Sequence, residues 1–274
     1  MKFAPAMLAA LTLGALSAAS AAPIQFPAQG VDPAGILPTV TAFRNALGTL
    51  NPNVVGSFGS GRREINWDGV PDNRAAPNNL PANFFNSNSP RGAVFATPGT
   101  GFQVSANAGI APIEFDNLHP TYSGLFETFS AQRLFTALGS TITDVNFFVP
   151  GSASVASVSA FGAVFTDVDL ANTTSLEFFD LGNQSLGAFF VPAMPGDETL
   201  SFLGVQFNAG ERVGRVRITS GNAALGGIEG GATDLVVMDD FIYAEPLAVP
   251  EPATLLLLAA PLAALVALRR RRQR

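Results

Sequence analysis

The stretch Leu235-Val236-Val237-Met238-Asp239-Asp240-Phe241-Ile242-Tyr243 decides the fold of this chain. It is apolar on both faces of an extended strand, which is typical of a strand that is covered on both sides. Its only charged residues are Asp239 and Asp240, which point to opposite faces of a regular strand. A charge inside an apolar row is costly unless it is paired, hydrogen-bonded or metal-bound. The stretch therefore predicts a β fold with a polar site inside it.

Short β-rich runs separated by turns fill the second half of the chain. Val213 to Ile218 alternates, with Arg215 and Arg217 on one face, which predicts a strand with one hydrated face. Leu181 to Gln184 lies between two apolar runs and predicts a hairpin loop. The predicted strands cover 142–149, 154–167, 175–180, 185–191, 199–207, 212–219 and 234–243. Without intervening helices, this spacing predicts a mostly β fold, an antiparallel β-sandwich that is jelly-roll-like.

The first half of the body has weaker signals. One short helix is predicted from Pro38 to Leu47, because Val40, Phe43 and Leu47 fall on one face and Gly48 is placed to end it. Around it, 24–35 is expected to be extended, and 56–101 is loop-rich with strand candidates at 64–67, 93–96 and 102–106. We expect 56–110 to supply the first strands of the same sandwich, because so few strands alone would bury too little surface. A separate domain stays open.

The two ends of the chain have the composition of targeting segments. Lys2, an apolar run over 6–16 and Ala19-Ser20-Ala21 predict a signal peptide. At the other end, Val249-Pro250-Glu251-Pro252 precedes an apolar run over 253–268, and Arg269-Arg270-Arg271-Arg272-Gln273-Arg274 follows. That run predicts a transmembrane helix of about 24 Å, slightly shorter than the ~30 Å hydrocarbon core. The arginines are expected to stay cytoplasmic, which places the body outside.

This C-terminal segment resembles the PEP-CTERM sorting signal of Gram-negative bacteria, in which a Pro-Glu-Pro motif, a hydrophobic helix and an arginine cluster follow in that order. The resemblance implies an exported protein that is held transiently in the inner membrane, processed by an exosortase-type enzyme and released to the cell surface or the extracellular matrix, a setting rich in exopolysaccharide. An ordinary membrane anchor is the alternative. The body also resembles, diffusely, the Phe- and Gly-rich sandwiches of other PEP-CTERM proteins, which supports the fold and no activity.

These signals divide the chain into four parts. The expected parts are a signal peptide at 1–21, a lead-in with the short helix at 22–55, a β-sandwich domain at 56–246 and a sorting signal at 249–274.

The composition of the body excludes several classes of function. Nine arginines remain outside the C-terminal tail, against 21 acidic residues, which gives a net charge near −12. A body with so few basic residues has no patch to neutralise phosphates, so nucleic-acid binding is not expected. The chain has no cysteine and His119 is its only histidine, which argues against the usual nucleophilic triads and against zinc sites built from His and Cys.

Carboxylates remain as candidates for a metal site. Asp239 and Asp240 are similar to the terminal-strand ligands of the structural calcium in secreted jelly-roll modules, and that similarity suggests Asp68 or Asp116 to complete the site. Calcium prefers oxygen ligands. Asp167 and Asp169 are a second pair, since residues two apart share one face of a strand and could reach one cation or substrate.

An alternative for Asp240 is a purely structural one. Its carboxylate could accept backbone N–H bonds, or pair with Arg133 or Arg212.

Three functions stay open on the sequence. The first is a non-enzymatic surface or matrix protein that binds exopolysaccharide, with Trp67 as an aromatic platform for sugar; a buried Trp67 is the alternative. The second is a secreted carbohydrate-active hydrolase that uses paired carboxylates. The third is a membrane-tethered structural protein without a ligand.

Overall fold

The computed structural model describes residues 22–107, 109 and 113–249. The predicted signal peptide, and the sorting signal beyond Val249, lie outside this part of the chain. Within it, no helix is both long enough and apolar enough to cross a membrane.

The described chain is mostly β, as predicted. The two helices are α1 (Pro33–Leu47) and α2 (Phe84–Ser87). The strands are β1 (Ile24–Gly30), β2 (Arg62–Ile65), β3 (Ala93–Ala96), β4 (Gly101–Val104), β5 (Phe135–Leu138), β6 (Ile142–Phe147), β7 (Ala156–Ser157), β8 (Ala160–Thr166), β9 (Ser175–Asp180), β10 (Ser185–Phe190), β11 (Leu200–Gln206), β12 (Val213–Thr219), β13 (Val237–Ala244) and β14 (Leu247–Ala248).

The strands form two main sheets. One has the order β1-β11-β8-β13-β5-β4, with β2 also paired to β13, and the other has the order β10-β9-β12-β6-β3. Neighbouring strands are antiparallel, and β7 and β14 form a small separate ladder. A single large apolar cluster contains Phe161 and Phe241 from the first sheet together with Val145 and Val216 from the second. The fold is therefore sandwich-like, with the core between the sheets.

The loop-rich region 56–110 contributes strands to both sheets. β2 pairs with β13, β3 with β6 and β4 with β5. The aromatic side chains of this region, Phe85 and Phe95 among them, belong to the same core as the later strands.

Helix α1 begins at Pro33, so the predicted start at Pro38 is wrong. The Asp32 carboxylate caps the helix by accepting a hydrogen bond from the backbone N–H of Gly35 at 2.9 Å. Pro33 occupies the first turn, where its missing N–H costs nothing. Pro38 therefore lies inside the helix. The predicted end is confirmed, because Gly48 follows the last turn with a φ of +89°, which glycine adopts without a steric penalty.

The predicted apolar face of α1 packs on the first sheet. Val40 and Phe43 are fully buried, and the ring of Phe43 lies over Gly204 of β11 and Gly162 of β8. A Cβ atom added at Gly204 would lie 2.7 Å from that ring. The helix therefore approaches the sheet closely only because these positions carry no side chain.

Strand β13 lies in the middle of the first sheet and is irregular at its two aspartates. Against β8, Met238 pairs with Phe165 but Phe241 pairs with Ala163. Asp239 and Asp240 therefore both lie opposite a single residue, which is a β-bulge. The regular strand predicted here, with the two carboxylates on opposite faces, is wrong.

The bulge coincides with a change of neighbour on the other edge of β13. Met238 pairs with β5, whereas Phe241 pairs with Ile65 of β2. The loop that precedes β5 and the loop that follows β2 meet beside the bulge, and they supply its hydrogen-bonding partners.

Candidate functional site

The Asp239 carboxylate is buried and bonded to the loop before β5. Its Oδ2 atom accepts hydrogen bonds from the backbone N–H groups of Phe129 (2.7 Å) and Ser130 (3.1 Å). The side chain is 0% exposed. Burial, and after it the neighbouring Asp240, raise the pKa of Asp239 well above its ordinary value, which favours the uncharged acid. Asp239 thus joins the bulge of β13 to the loop that precedes β5.

The Asp240 carboxylate forms an ion pair with an arginine that is distant in sequence. Its Oδ2 atom lies 3.0 Å from the Arg44 guanidinium of α1, and its Oδ1 atom accepts a hydrogen bond from Ser130 Oγ at 2.8 Å. Arg44 also binds both oxygen atoms of Glu64, at 3.1 and 2.9 Å. Burial raises the pKa of Asp240 to about 6, while Ser130 and Arg44 act in the opposite direction. One guanidinium therefore joins two carboxylates.

The partners that the sequence suggested for Asp240 are engaged elsewhere. Arg133 lies 2.5 Å from the carboxylate of Asp72, and Arg212 donates to Ser157 Oγ at 2.6 Å. The pairing of Asp240 with either arginine is therefore wrong.

Trp67 is part of the core, so the interpretation as a buried tryptophan is confirmed and the prediction of an exposed sugar platform is wrong. The indole is 1% exposed. It stacks on Phe135 with the ring centroids 4.1 Å apart, and it meets the rings of Phe85 and Phe241 edge to face. Its Nε1 atom donates to the backbone carbonyl of Asp239 at 3.0 Å. Trp67 therefore stabilises the bulge through this hydrogen bond. Because the indole is almost fully buried, neither of its faces is free for a ligand.

The other two predicted calcium ligands accept hydrogen bonds in separate loops. Asp68 Oδ1 accepts from the backbone N–H groups of Gln132 (2.6 Å) and Arg133 (3.1 Å), in the same loop that binds Asp239. Asp116 accepts from the N–H (2.6 Å) and the hydroxyl (2.7 Å) of Ser123.

Within 22–107, 109 and 113–249, no three or more Asp, Glu, His or Cys side chains are grouped so as to hold a metal ion. Calcium at these four aspartates stays a prediction, and their protein donors do not favour it.

Two clefts open beside the bulge, and their linings share Asn66 and Arg91. The first has a volume of about 370 Å³ and its remaining lining residues are Trp67, Gly69, Pro71, Phe84, Phe85, Asn88 and Ser89. The second has a volume of about 330 Å³ and its remaining lining residues are Arg44, Leu50, Asn51, Asn53, Glu64, Ser130 and Asp240. Both linings contain polar and apolar groups, and we call the two adjoining clefts together the β2 cleft.

Arg91 holds the middle of the β2 cleft. Its Nε atom donates to the backbone carbonyl of Glu64 at 2.8 Å, and its guanidinium lies 5.1 Å from the centre of the Phe85 ring. It also hydrogen-bonds the hydroxyl of Ser89. Asn66 and Asn88 line the same cleft and are exposed to solvent. The cleft therefore presents amide groups on a fixed framework.

Sequence reasoning found Asp240 and missed the rest of this site. Arg44 and Asp240 are 196 positions apart, and Glu64 is 20 positions from Arg44. Nothing in the local pattern of any of the three indicates the other two.

Comparisons with protein-family models, with curated proteins and with solved structures found no match to this chain.

Proposed function

We propose that this chain is an exported, non-enzymatic surface or matrix protein with a jelly-roll-like β-sandwich, which is processed at the PEP-CTERM signal beginning at Val249 and binds exopolysaccharide in the β2 cleft. Export and processing rest on the sequence of the two ends. The observation that supports the binding function is the set of asparagine side chains in the lining of the β2 cleft.

The lining suits a ligand that is rich in hydroxyl groups. Asparagine side chains carry two N–H donors and a carbonyl acceptor, so one amide can bond two neighbouring hydroxyls of a sugar. Asn53, Asn66 and Asn88 are exposed in the walls. The aromatic rings of the lining, Phe84 and Phe85, are largely buried. Recognition would therefore depend on hydrogen bonds rather than on stacking, and it would be of modest affinity per sugar.

The net charge of the body restricts the polymer. Nine arginines against 21 acidic residues leave a charge near −12, and like charges repel over about 10 Å at ~0.1 M salt. A polyanionic polysaccharide would be repelled. A neutral polymer, or one that contains free amino sugars, fits the β2 cleft.

The two carboxylates of the β2 cleft support binding better than hydrolysis. A glycoside hydrolase needs one free carboxylic acid and one free carboxylate on either side of the scissile bond. Here Glu64 and Asp240 both bind the Arg44 guanidinium, so neither carboxylate is unpaired. Breaking such a partly buried ion pair to free an acid would cost several kcal/mol.

Affinity electrophoresis in gels that contain the exopolysaccharide of the host tests this function. We expect the wild-type chain to be retarded, and the double variant Asn66→Ala/Asn88→Ala to need at least a tenfold higher polymer concentration for the same retardation. Asn45→Ala, at an exposed position of α1 outside the cleft, is the matched control.

Two outcomes would contradict the proposal. Equal retardation of wild type and double variant would remove the β2 cleft as the binding site, and no retardation at all would favour a structural protein without a ligand. Shortening of the polymer during incubation, measured by size-exclusion chromatography, would instead identify a hydrolase.

A further inference from the structure

A second pair of carboxylates lies at the end of β8, away from the β2 cleft. The sequence placed Asp167 and Asp169 on one face of a strand, but β8 ends at Thr166. Asp167 has a φ of +69°, and its backbone N–H donates to the carbonyl of Thr199 at 2.9 Å. The chain therefore turns sharply at Asp167, and the expectation that Asp167 and Asp169 share a strand face is wrong.

The turn carries the Asp167 carboxylate into the interior. Asp167 is 0% exposed, and neither of its carboxylate oxygen atoms has a hydrogen-bond donor within the described residues. A buried polar group without a partner costs about 1–3 kcal/mol, and more when it is charged. Buried aspartates in proteins normally accept two or more hydrogen bonds, as Asp239 and Asp234 do here. Asp167 differs from both, because no donor of the described chain bonds to it.

The group that faces Asp167 is a second carboxylate, that of Glu229. The two side chains lie within hydrogen-bonding reach of each other. Glu229 Oε1 accepts a hydrogen bond from the N–H of Leu235 at 3.1 Å, whereas its Oε2 is buried without a partner. Three buried carboxylate oxygen atoms of this pair therefore have no donor among the described residues.

The described surroundings of this pair add negative charge. The acidic groups that act on this pair are Asp169, Asp197 and Asp234. Asp169 and Asp234 are bonded to protein donors: Asp169 accepts from the N–H of Gly196 at 2.7 Å, and Asp234 accepts from the N–H of Asp169 at 3.0 Å. None of the ion pairs in the described part of the chain includes Asp167 or Glu229.

Two chemical species could bind the unpaired carboxylate oxygen atoms of Asp167 and Glu229 and offset the negative charge around them. A proton shared between the two carboxyls would do so, and burial followed by the contact with Glu229 raises the pKa of Asp167 to about 10. A cation would do so as well, and it would be favoured by the acidic neighbours, which disfavour an anion but attract a cation. A shared proton leaves at most one hydrogen bond for three oxygen atoms, whereas a cation can engage all three.

We propose that Asp167 and Glu229 bind a divalent cation of the calcium type, which joins the end of β8 to the loop between β12 and β13. Calcium takes 6–8 oxygen ligands and accepts mixtures of carboxylates, backbone carbonyls and water. Since no three acidic or histidine side chains in the described ranges are grouped to hold a metal, the ion takes its side-chain ligands from these two residues. The remainder come from backbone carbonyls and water. Such a site is weak, with a dissociation constant of about 10⁻⁴–10⁻³ M, as in extracellular modules.

The cation would fix a glycine-rich segment. The loop between β12 and β13 contains Gly221, Gly226, Gly227, Gly230 and Gly231, and glycine loses the most backbone freedom on ordering. Glu229 lies within this loop, close to the start of β13. Binding would therefore order the approach to the central strand of the first sheet.

Thermal unfolding of the purified mature chain, in EDTA and across a calcium titration at pH 8, tests the proposal. We expect the Tm to rise with calcium, by an amount that corresponds to a roughly 100-fold shift of the folding equilibrium when calcium is at about 100 times its dissociation constant. Isothermal titration calorimetry should give one ion per chain. The response should weaken at pH 6, because protons compete with the cation for the same oxygen atoms.

Two isosteric variants locate the site. Asp167→Asn and Glu229→Gln should each abolish the calcium response while they raise the Tm in EDTA, because the new amide can donate a hydrogen bond to the carboxyl that remains. Asparagine also tolerates the positive φ at 167. Glu177→Gln, on the outer face of the second sheet, should leave both values unchanged, and Asp239→Asn should retain the calcium response.

Several results would overturn the proposal. A Tm that does not depend on calcium at pH 8, together with a higher Tm of Asp167→Asn in EDTA, would show that the pair shares a proton instead. A calcium response that survives in both Asp167→Asn and Glu229→Gln would place the ion elsewhere, and loss of the response in Asp239→Asn alone would place it at the β13 bulge.

Discussion

Replacing Asp239 with alanine should destabilise the protein strongly, whereas replacing it with asparagine should not. In the structure, one carboxylate oxygen of Asp239 accepts from the backbone N–H groups of Phe129 and Ser130, at 2.7 and 3.1 Å. Alanine leaves both donors without a partner beside a fully buried position. An orphaned buried N–H costs about 1–3 kcal/mol, so the two together should lower the free energy of unfolding by about 4 kcal/mol. That is a large fraction of the roughly 5–15 kcal/mol of a typical domain.

Asparagine separates the hydrogen bonds of Asp239 from its charge. Its carbonyl oxygen can replace the bonding oxygen of the carboxylate, and its NH₂ group faces the Ser130 hydroxyl, which lies 3.4 Å from the other oxygen. Since burial and Asp240 favour the uncharged form of Asp239, losing the charge should change the free energy of unfolding by less than about 1 kcal/mol.

Equilibrium urea denaturation at pH 7 measures both variants of Asp239. Parallel slopes would show that only stability has changed. If the Asp239→Asn variant were as unstable as Asp239→Ala, the ionised carboxylate would be essential. The interpretation of Asp239 as a hydrogen-bonded structural acid would then be refuted, in favour of a bound cation.

Three further substitutions or conditions have defined outcomes. Gly204→Ala should lower the free energy of unfolding by about 1–3 kcal/mol, measured by urea denaturation, because the new Cβ would lie 2.7 Å from the Phe43 ring of α1. The control Gly59→Ala, where nothing lies within 4 Å of the new Cβ, should leave the free energy of unfolding unchanged. Glu245→Gln should lower the free energy of unfolding by about 3–5 kcal/mol, because it breaks the buried ion pair with Arg63 at 2.6 Å. In a double-mutant cycle, Glu245→Gln should destabilise the Arg63→Met variant less than it destabilises the wild type. The raised pKa of Asp240, about 6 against 3.8, stabilises the fold fully below pH ~4, and this contribution is lost as the pH rises through about 6. Thermal scans from pH 4 to 8 should show the wild type losing up to about 3 kcal/mol from this group, and a flatter profile for Asp240→Asn.

The strands of the second sheet were predictable because their signal is local. The runs 175–180 and 185–191 and the turn between them correspond to β9 and β10, which pair as a hairpin. Alternation of apolar and polar residues, with turn residues at the ends, determines such elements without help from the rest of the chain. Helix α1 was found for the same reason, although its start was wrong because the Asp32 cap was overlooked.

The candidate sites were not predictable, because they depend on pairings between distant segments. The bulge at Asp239 and Asp240 lies where β13 changes its neighbour from β5 to β2, and no pattern within 235–243 indicates that change. The apolar rows of that stretch predict a regular strand equally well. Arg44 reaches Asp240 only because α1 packs on the first sheet, and Glu229 reaches Asp167 only through the loop between β12 and β13.

The intact mass of the protein recovered from outside its host cell tests the proposed function most directly. We expect a mass that lacks both 1–21 and the C-terminal segment from the Pro-Glu-Pro motif at 250–252 to the final arginine, in a host that carries an exosortase-type enzyme. Deleting that enzyme should leave a longer, membrane-associated form. A mature chain that retains Arg269 to Arg274 in the presence of the enzyme would contradict the proposal of sorting and release.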